Sequence, residues 1–199
     1  IEAIRAAGVA APYACVASSA VVSMRPEMYL NAVDPGRLLY GFYWPPAPPV
    51  PLDLKTVARA AKSRIIQMKW VEVGERIGGY EQALYPPRRT LVGVLPFGAW
   101  DGLLKSTISR ASVLVRGRRC PIIGVHLEHC LIDLTEAEGA EVGDQAVLFG
   151  EQGKAAITLS EHARWAGVSE MEVVMQLGRT IRRLYFKGNK LLPFDVGSH

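Results

Sequence analysis

The sequence predicts a chain in two parts: a remnant of an α/β layer or barrel, followed by a mainly β domain. Three observations carry this. Residues 9–43 alternate short apolar runs with helical and turn signals, the βαβ rhythm. Residues 45–51 read Pro-Pro-Ala-Pro-Pro-Val-Pro, a semi-rigid extended stretch that builds neither helix nor central strand. Beyond it, short β-rich segments are separated by turn residues, at the spacing of a compact antiparallel domain. The boundary therefore falls between 46 and 47, giving parts 1–46 and 47–199.

Each element has a local reason. Ile1, Ile4 and the following alanines have helical spacing, and Gly8 is a plausible stop. With no Met and no N-cap, this stretch reads as the last turns of a helix in a longer protein. Residues 9–17 form a short apolar run, as a buried parallel strand does. Ser18-Ser19 follows, then a weakly helical stretch at 24–30, the turn Asp34-Pro35-Gly36, and a second buried-strand candidate at 38–43. Past the prolines, strands are expected at 64–73, 91–97, 112–117, 121–134 and 146–150, bounded by Gly and Pro turns. Two helices close the chain. One runs from Ser160 to Gly167; the other has Ser169 as N-cap with Glu172 three residues on, a capping box, and ends at Gly178.

Composition narrows the class. The 199 residues are 49% hydrophobic and 21% charged, enough to bury one good core. Charge interrupts every apolar run before the ~18 residues a membrane span needs, and no secretory leader is legible. Three cysteines, Cys15, Cys120 and Cys130, lack paired spacing, which argues for a reducing, cytoplasmic compartment rather than a disulfide framework. A net charge of +4 reads as a mixed solvated surface, not a nucleic-acid footprint.

Local motifs say little singly. Ser18-Ser19 and Asp34-Pro35-Gly36-Arg37 lie where α/β folds present backbone N–H groups to phosphates, yet such pairs are usually plain turns. His126-Leu127-Glu128-His129-Cys130 looks like a metal cluster. On a strand, however, His126, Glu128 and Cys130 would share one face and His129 the other, so no metal site is expected. The basic run 179–183 lacks interleaved aromatics and reads as an exposed or anion-binding element.

Taken together, the motifs resemble a family. Ala17-Ser18-Ser19-Ala20, Val33-Asp34-Pro35-Gly36 and Leu39-Tyr40-Gly41 are similar to the Ala-Asn-Ser-Ala, Val-Arg-Pro-Gly and Tyr-Gly succession of alanine racemases. Val71-Glu72-Val73-Gly74-Glu75, Leu95-Pro96-Phe97-Gly98-Ala99-Trp100-Asp101-Gly102, Pro121-Ile122-Ile123-Gly124, Val142-Gly143-Asp144 and Leu148-Phe149-Gly150 continue it in order. The resemblance implies the end of a (β/α)8 barrel followed by a β-rich domain. It also implies a homodimer with a shared active site, pyridoxal 5'-phosphate (PLP) as cofactor, and a free amino acid as substrate. The family's PLP-bearing lysine would lie upstream of residue 1.

The resemblance places Ser19, Gly36 and Arg37 at the cofactor phosphate. Asp34 falls where the family has an arginine facing the pyridine nitrogen, and Cys15 where a histidine supports that arginine. Ala99 stands at the catalytic tyrosine, within a segment that includes Asp101. Leu127, Glu128 and His129 replace Met-Asp-Gln, in a segment one residue shorter. Arg179 falls near a phosphate-reaching tyrosine. An aspartate beside the ring nitrogen favours its protonated form and a stronger electron sink, and alanine has no group to move a proton. The resemblance thus implies a PLP-dependent amino-acid racemase. The departures leave open a PLP enzyme of another reaction (an aldolase, lyase or epimerase of a bulkier amino acid) or a non-catalytic homologue.

Overall fold

The computed structural model describes residues 2–43, 52–78, 83–178 and 181–193. They divide into two units, residues 1–61 and 62–199. The proline run 45–51 lies outside the described residues. Residues 52–61 fold with the first unit, because the Val57 N–H donates to Tyr40 O (3.2 Å) and Gly41, at φ +81, lies flat against the Lys55 backbone.

In the first unit, α1 (Glu2–Ala6) ends as expected: Gly8 takes φ +78 and its N–H reaches Arg5 O at 2.9 Å. The strand after it is shorter than its apolar run, β1 (Cys15–Ser18), since residues 9–13 stay outside the pairing. It passes directly into α2 (Ser19–Met24), ahead of the predicted 24–30, because Pro26 cannot continue that helix and opens a 3-10 turn instead. The second strand, β2 (Ala32–Asp34), precedes the Pro-Gly turn and pairs parallel to β1, Ser18 opposite Asp34. The run 38–43 is not a strand. Pro35 caps a short helix, α3 (Gly36–Leu39), whose Leu39 N–H donates to Pro35 O.

The second unit is mainly antiparallel. β3 (Ala61–Arg64) and β4 (Gln67–Val71) are two halves of one strand bent at Ile65-Ile66. β5 (Thr90–Leu95), β6 (Ser112–Val115), β7 (Arg118–Val125), β8 (Cys130–Asp133), β9 (Gln145–Gln152) and β10 (Ala155–Ile157) follow. The order is β10-β9-β6-β7-β8-β5-β4, and β3 also pairs β9, so the sheet curls back on itself and shields its edges. Val113, Leu114 and Val115 are all buried, which puts both faces of β6 in apolar surroundings. α4 (Leu159–Ala166) packs on β9, with His162 tilted against Phe149 at 6.0 Å. Its cap is Thr158, which accepts the Glu161 N–H at 3.0 Å, so the helix opens one residue ahead of Ser160. α5 (Glu170–Gln176) carries the expected capping box: Ser169 N–H donates to Glu172 Oε2 at 2.8 Å. A small hairpin, β11 (Phe186–Lys187) and β12 (Lys190–Leu191), follows.

All three cysteines are free. Cys15 is exposed, while burial pushes the Cys120 thiol up to about 11 and Cys130 to about 12, so both buried thiols stay protonated and inert. Among the described residues, no helix is long and apolar enough to cross a membrane.

Candidate functional site

The first cluster is built where two parallel strands end. β1 and β2 each run straight into a helix, so the amino ends of α2 and α3 open side by side. Ser19, buried at the start of α2, draws them together: its Oγ accepts the Arg37 N–H at 2.8 Å and, more loosely, the Leu38 N–H at 3.4 Å. Since that oxygen accepts, its own proton is available to an incoming oxygen. Gly36 completes the group. A methyl built on it would meet no atom within 4 Å, so its backbone edge lies open to close approach. Three residues that the resemblance assigns to phosphate thus converge.

The pyridine-facing pair is less tight. Asp34 ends β2 with its carboxylate exposed and, among the described residues, with no hydrogen bond from the Pro35-Gly36 turn. That speaks against a purely turn-capping aspartate. Ser18 stands opposite Asp34, while Cys15 pairs with Ala32, beyond a register shift. The strand therefore does not set the thiol and the carboxylate directly across from each other.

The second cluster lies in the β unit. After β5 the chain turns at Gly98 into a 3-10 turn, Ala99–Asp101, closed by Gly102 at φ +98. Asp101 braces this loop: its Oδ2 accepts the Gly98 N–H at 2.9 Å. The segment linking β7 to β8 lies against it. Ala99 N–H donates to His126 O at 2.8 Å and Trp100 N–H to Leu127 O at 2.9 Å. A methyl on Gly98 would fall 2.4–2.6 Å from Leu127 O, His129 N and His126 O, so glycine is required there for space.

Residues 126–129 are a turn, not the strand that the sequence suggested, closed by His126 N–H donating to His129 O at 2.8 Å. The turn brings the two imidazoles together, stacked at 4.6 Å and 23°, where strand alternation had placed them on opposite faces. Burial, the His129 charge and then Lys105 hold His126 below the ordinary histidine range. It is therefore neutral near pH 7. Ala99 is half-buried, Glu128 is exposed, and Trp100 and Leu127 project at 70% and 59% exposure. Arg179 lies outside the described residues, although the Gly178 N–H before it donates to Asp101 O at 3.1 Å.

Sequence reasoning missed the stacked histidines because no Gly or Pro marks their turn. It also missed Lys69 and Arg76, which line a cavity with them. The alternation of Gln67, Lys69 and Val71 on one face of β4 was the available signal.

The chain is similar to known proteins. The model of the alanine racemase C-terminal domain matches residues 58–185. The alanine racemase of Symbiobacterium thermophilum is 35% identical over 184 residues, 92% of this chain and 48% of that protein. The crystal structure of alanine racemase from Enterococcus (E. faecalis) aligns with a TM-score of 0.73 at 30% identity, covering 88% of this chain and 47% of that one. That of Bacillus anthracis, with bound L-Ala-P, reaches 0.79 over 96% and 49%; at 24% identity it speaks to fold alone. The chain spans about half the length of the curated relatives it matches. On the matched C-terminal domain and its mainly antiparallel sheet, the chain belongs to the alanine racemase family.

Proposed function

We propose that the protein carrying this chain is a PLP-dependent racemase acting at the α-carbon of a free amino acid. The first unit would carry the last part of a (β/α)8 barrel, and the second unit the C-terminal domain of a cytoplasmic homodimer. The observation that carries this reading is the convergence of Ser19 Oγ, the Arg37 N–H and the open Gly36 edge at the ends of two adjacent parallel strands. One relative, the alanine racemase of Bartonella henselae, is described with covalently bound pyridoxal phosphate.

These residues fit the phosphate of PLP. The Ser19 hydroxyl proton and the open Gly36 backbone edge would meet a phosphate oxygen, with the Arg37 N–H holding the Ser19 Oγ in place. Bound there, PLP supplies the electron sink that makes an amino acid's α-proton labile. Asp34, with no other partner among the described residues, is free to hold a proton on a ring nitrogen. An opposite-charge hydrogen bond of that kind is worth roughly 1.5–3 kcal/mol. The 98–102 loop, with 126–129 locked against it, would face the partner subunit's cofactor. There Ala99 leaves room, and Trp100 and His129 offer stacking and hydrogen bonding to a substrate side chain larger than a methyl.

A second reading, a PLP enzyme of another reaction type, is favoured by the same two positions. Ala99 cannot move a proton, and Asp34 strengthens the electron sink beyond what simple inversion requires. Proton exchange in D2O over a panel of L- and D-amino acids separates the readings. Exchange with inversion supports the racemase, exchange with new products supports the second reading, and no exchange refutes both. Absence of a PLP absorbance band that borohydride reduction fixes to the protein would refute the cofactor itself. A monomer in sedimentation at micromolar concentration would refute the shared site.

A further inference from the structure

His162 is buried between α4 and the sheet, tilted against Phe149 of β9, and its Nδ1 meets no hydrogen-bond partner among the described residues. Burial holds the imidazole below the ordinary histidine range, and a hydrogen bond with the Leu148 backbone opposes this in part. The folded protein therefore keeps the ring neutral near pH 7. A proton on Nδ1 would be a buried charge without an acceptor beside it.

The charged groups on the elements around α4 do not offset that charge. α4 itself carries Glu161 and Arg164, and Glu161 accepts from Arg119 of β7 at 2.8 Å. Glu151 lies exposed on β9, and Lys105 opens the 3-10 turn Lys105–Thr107. On α5, Glu170 accepts from Ser160 and Glu172 from Ser169. None of these is among the causes that set the His162 pKa.

What His162 holds in place reaches the 98–102 loop. Ser160 Oγ donates to Glu170 Oε1 at 2.7 Å, tying α4 to α5, and Ser106 Oγ donates to Ala166 O at 2.6 Å, tying the 105–107 turn to the end of α4. The end of α5 then clamps the loop: Gly178 N–H donates to Asp101 O at 3.1 Å, and Gly102 lies flat against the Gln176 carbonyl. Opening the α4–α5 pair removes this side of the loop's support, while the 126–129 turn keeps the other.

We propose that His162 is a proton-operated latch: when it takes up a proton, the α4–α5 pair opens from the sheet and loosens the 98–102 loop. The loop's part in a shared site rests on the reading above. The latch does not, and amide hydrogen exchange, which needs neither substrate nor cofactor, tests it apart from that reading.

The experiment is exchange mass spectrometry on the full-length protein at pH 7.5 and pH 5, with rates corrected for the intrinsic pH dependence of amide exchange. A group that gains a proton on opening shifts that opening by up to about tenfold per pH unit below its unfolded pKa. Protection of residues 159–178 and 98–104 should therefore fall by about fivefold or more at pH 5, while that of 112–125 holds. His162→Gln, which keeps a donor for the Leu148 backbone but does not titrate, should remove the pH effect from both segments. His162→Phe serves the same end if the core rejects the amide. Equal protection of 159–178 at the two pH values, a pH effect there that survives substitution, or protection lost evenly over the whole sheet would each overturn the latch. Protection lost in 159–178 but not in 98–104 would overturn the link to the loop. So would a change at 98–104 that survives substitution, which would belong to the His126–His129 pair instead.

Discussion

Replacing Gly98 by alanine tests the locking of the two candidate segments most directly. At φ −128° and ψ −160° the residue is in extended backbone that alanine adopts freely, so any cost is one of space. The added methyl would sit 2.4 Å from Leu127 O, 2.5 Å from His129 N and 2.6 Å from His126 O, all backbone atoms that no rotamer change can move. The segments must part by about 1 Å, which stretches the Ala99–His126 and Trp100–Leu127 hydrogen bonds, now 2.8 and 2.9 Å. Overpacking costs about 1–3 kcal/mol, and two weakened hydrogen bonds about 0.5–1.5 kcal/mol each. Partial relaxation leaves a net loss of about 3 kcal/mol, or a Tm lowered by roughly 6–12 °C. Urea unfolding followed by tryptophan fluorescence measures it. Gly36→Ala, whose methyl meets open space, is the control and should lose no stability. A native-like midpoint for Gly98→Ala would refute the close approach of the two segments.

Three further perturbations have definite signs. His162 is buried and burial lowers its pKa from 6.5, so the folded state binds fewer protons than the unfolded one; stability should fall as pH drops below about 6.5, and His162→Leu should flatten that slope in denaturation at pH 5 and 7. The Arg119 hydrogen bond, first among its causes, lowers the Glu161 pKa, so the pair's contribution is present above the ordinary glutamate range and lost on acidification. A double-mutant cycle with Glu161→Gln and Arg119→Met should read about 0.5 kcal/mol at pH 7 and nothing near pH 3. Ala99→Tyr in the full-length protein should raise alanine racemisation by about tenfold or more if the loop holds the residue toward substrate. No rise would count against that placement.

The sequence was most legible where backbone chemistry is local. Gly8, Gly167 and the Ser169–Glu172 box ended or began helices as read, because each supplies a left-handed stop or a cap within four residues. It was least legible where tertiary context decided. The apolar run 38–43 fits a buried strand or a short helix equally well by periodicity; Pro35 and the Ser19 hydroxyl, eighteen residues away from Arg37, settled it as α3. Likewise, 121–134 alternates well enough to pass for one strand. What splits it is Gly98, whose missing side chain lets residues 126–129 fold down as a turn. β10 and the β11–β12 hairpin, at three and two residues a strand, are too short to show a period. For the candidate site, motif order proposed the residues, while the pairing of His126 with His129 needed coordinates.

The glycines also bear on whether the protein has kept a ligand. Gly98 and Gly102 are explained by packing alone, one by the backbone at 2.4–2.6 Å and the other by φ +98 and Gln176 O at 2.4 Å. A homologue that bound nothing would still need both to fold. Gly36 is different. Its backbone is not left-handed, its methyl would touch nothing, and it opens a helix, where glycine is about 0.5–1 kcal/mol less favourable than alanine. Folding gives no reason for glycine at this position. A group that must approach the backbone edge closely does, and the neighbouring Ser19 hydroxyl, whose oxygen the Arg37 N–H holds and whose proton is left to give, suits an oxyanion. Gly36→Ala therefore separates the two kinds of glycine. It should leave stability unchanged or slightly raised while weakening PLP binding by the full-length protein, measured by cofactor absorbance. Full retention of PLP affinity in this variant would remove the structural argument for a phosphate at this point.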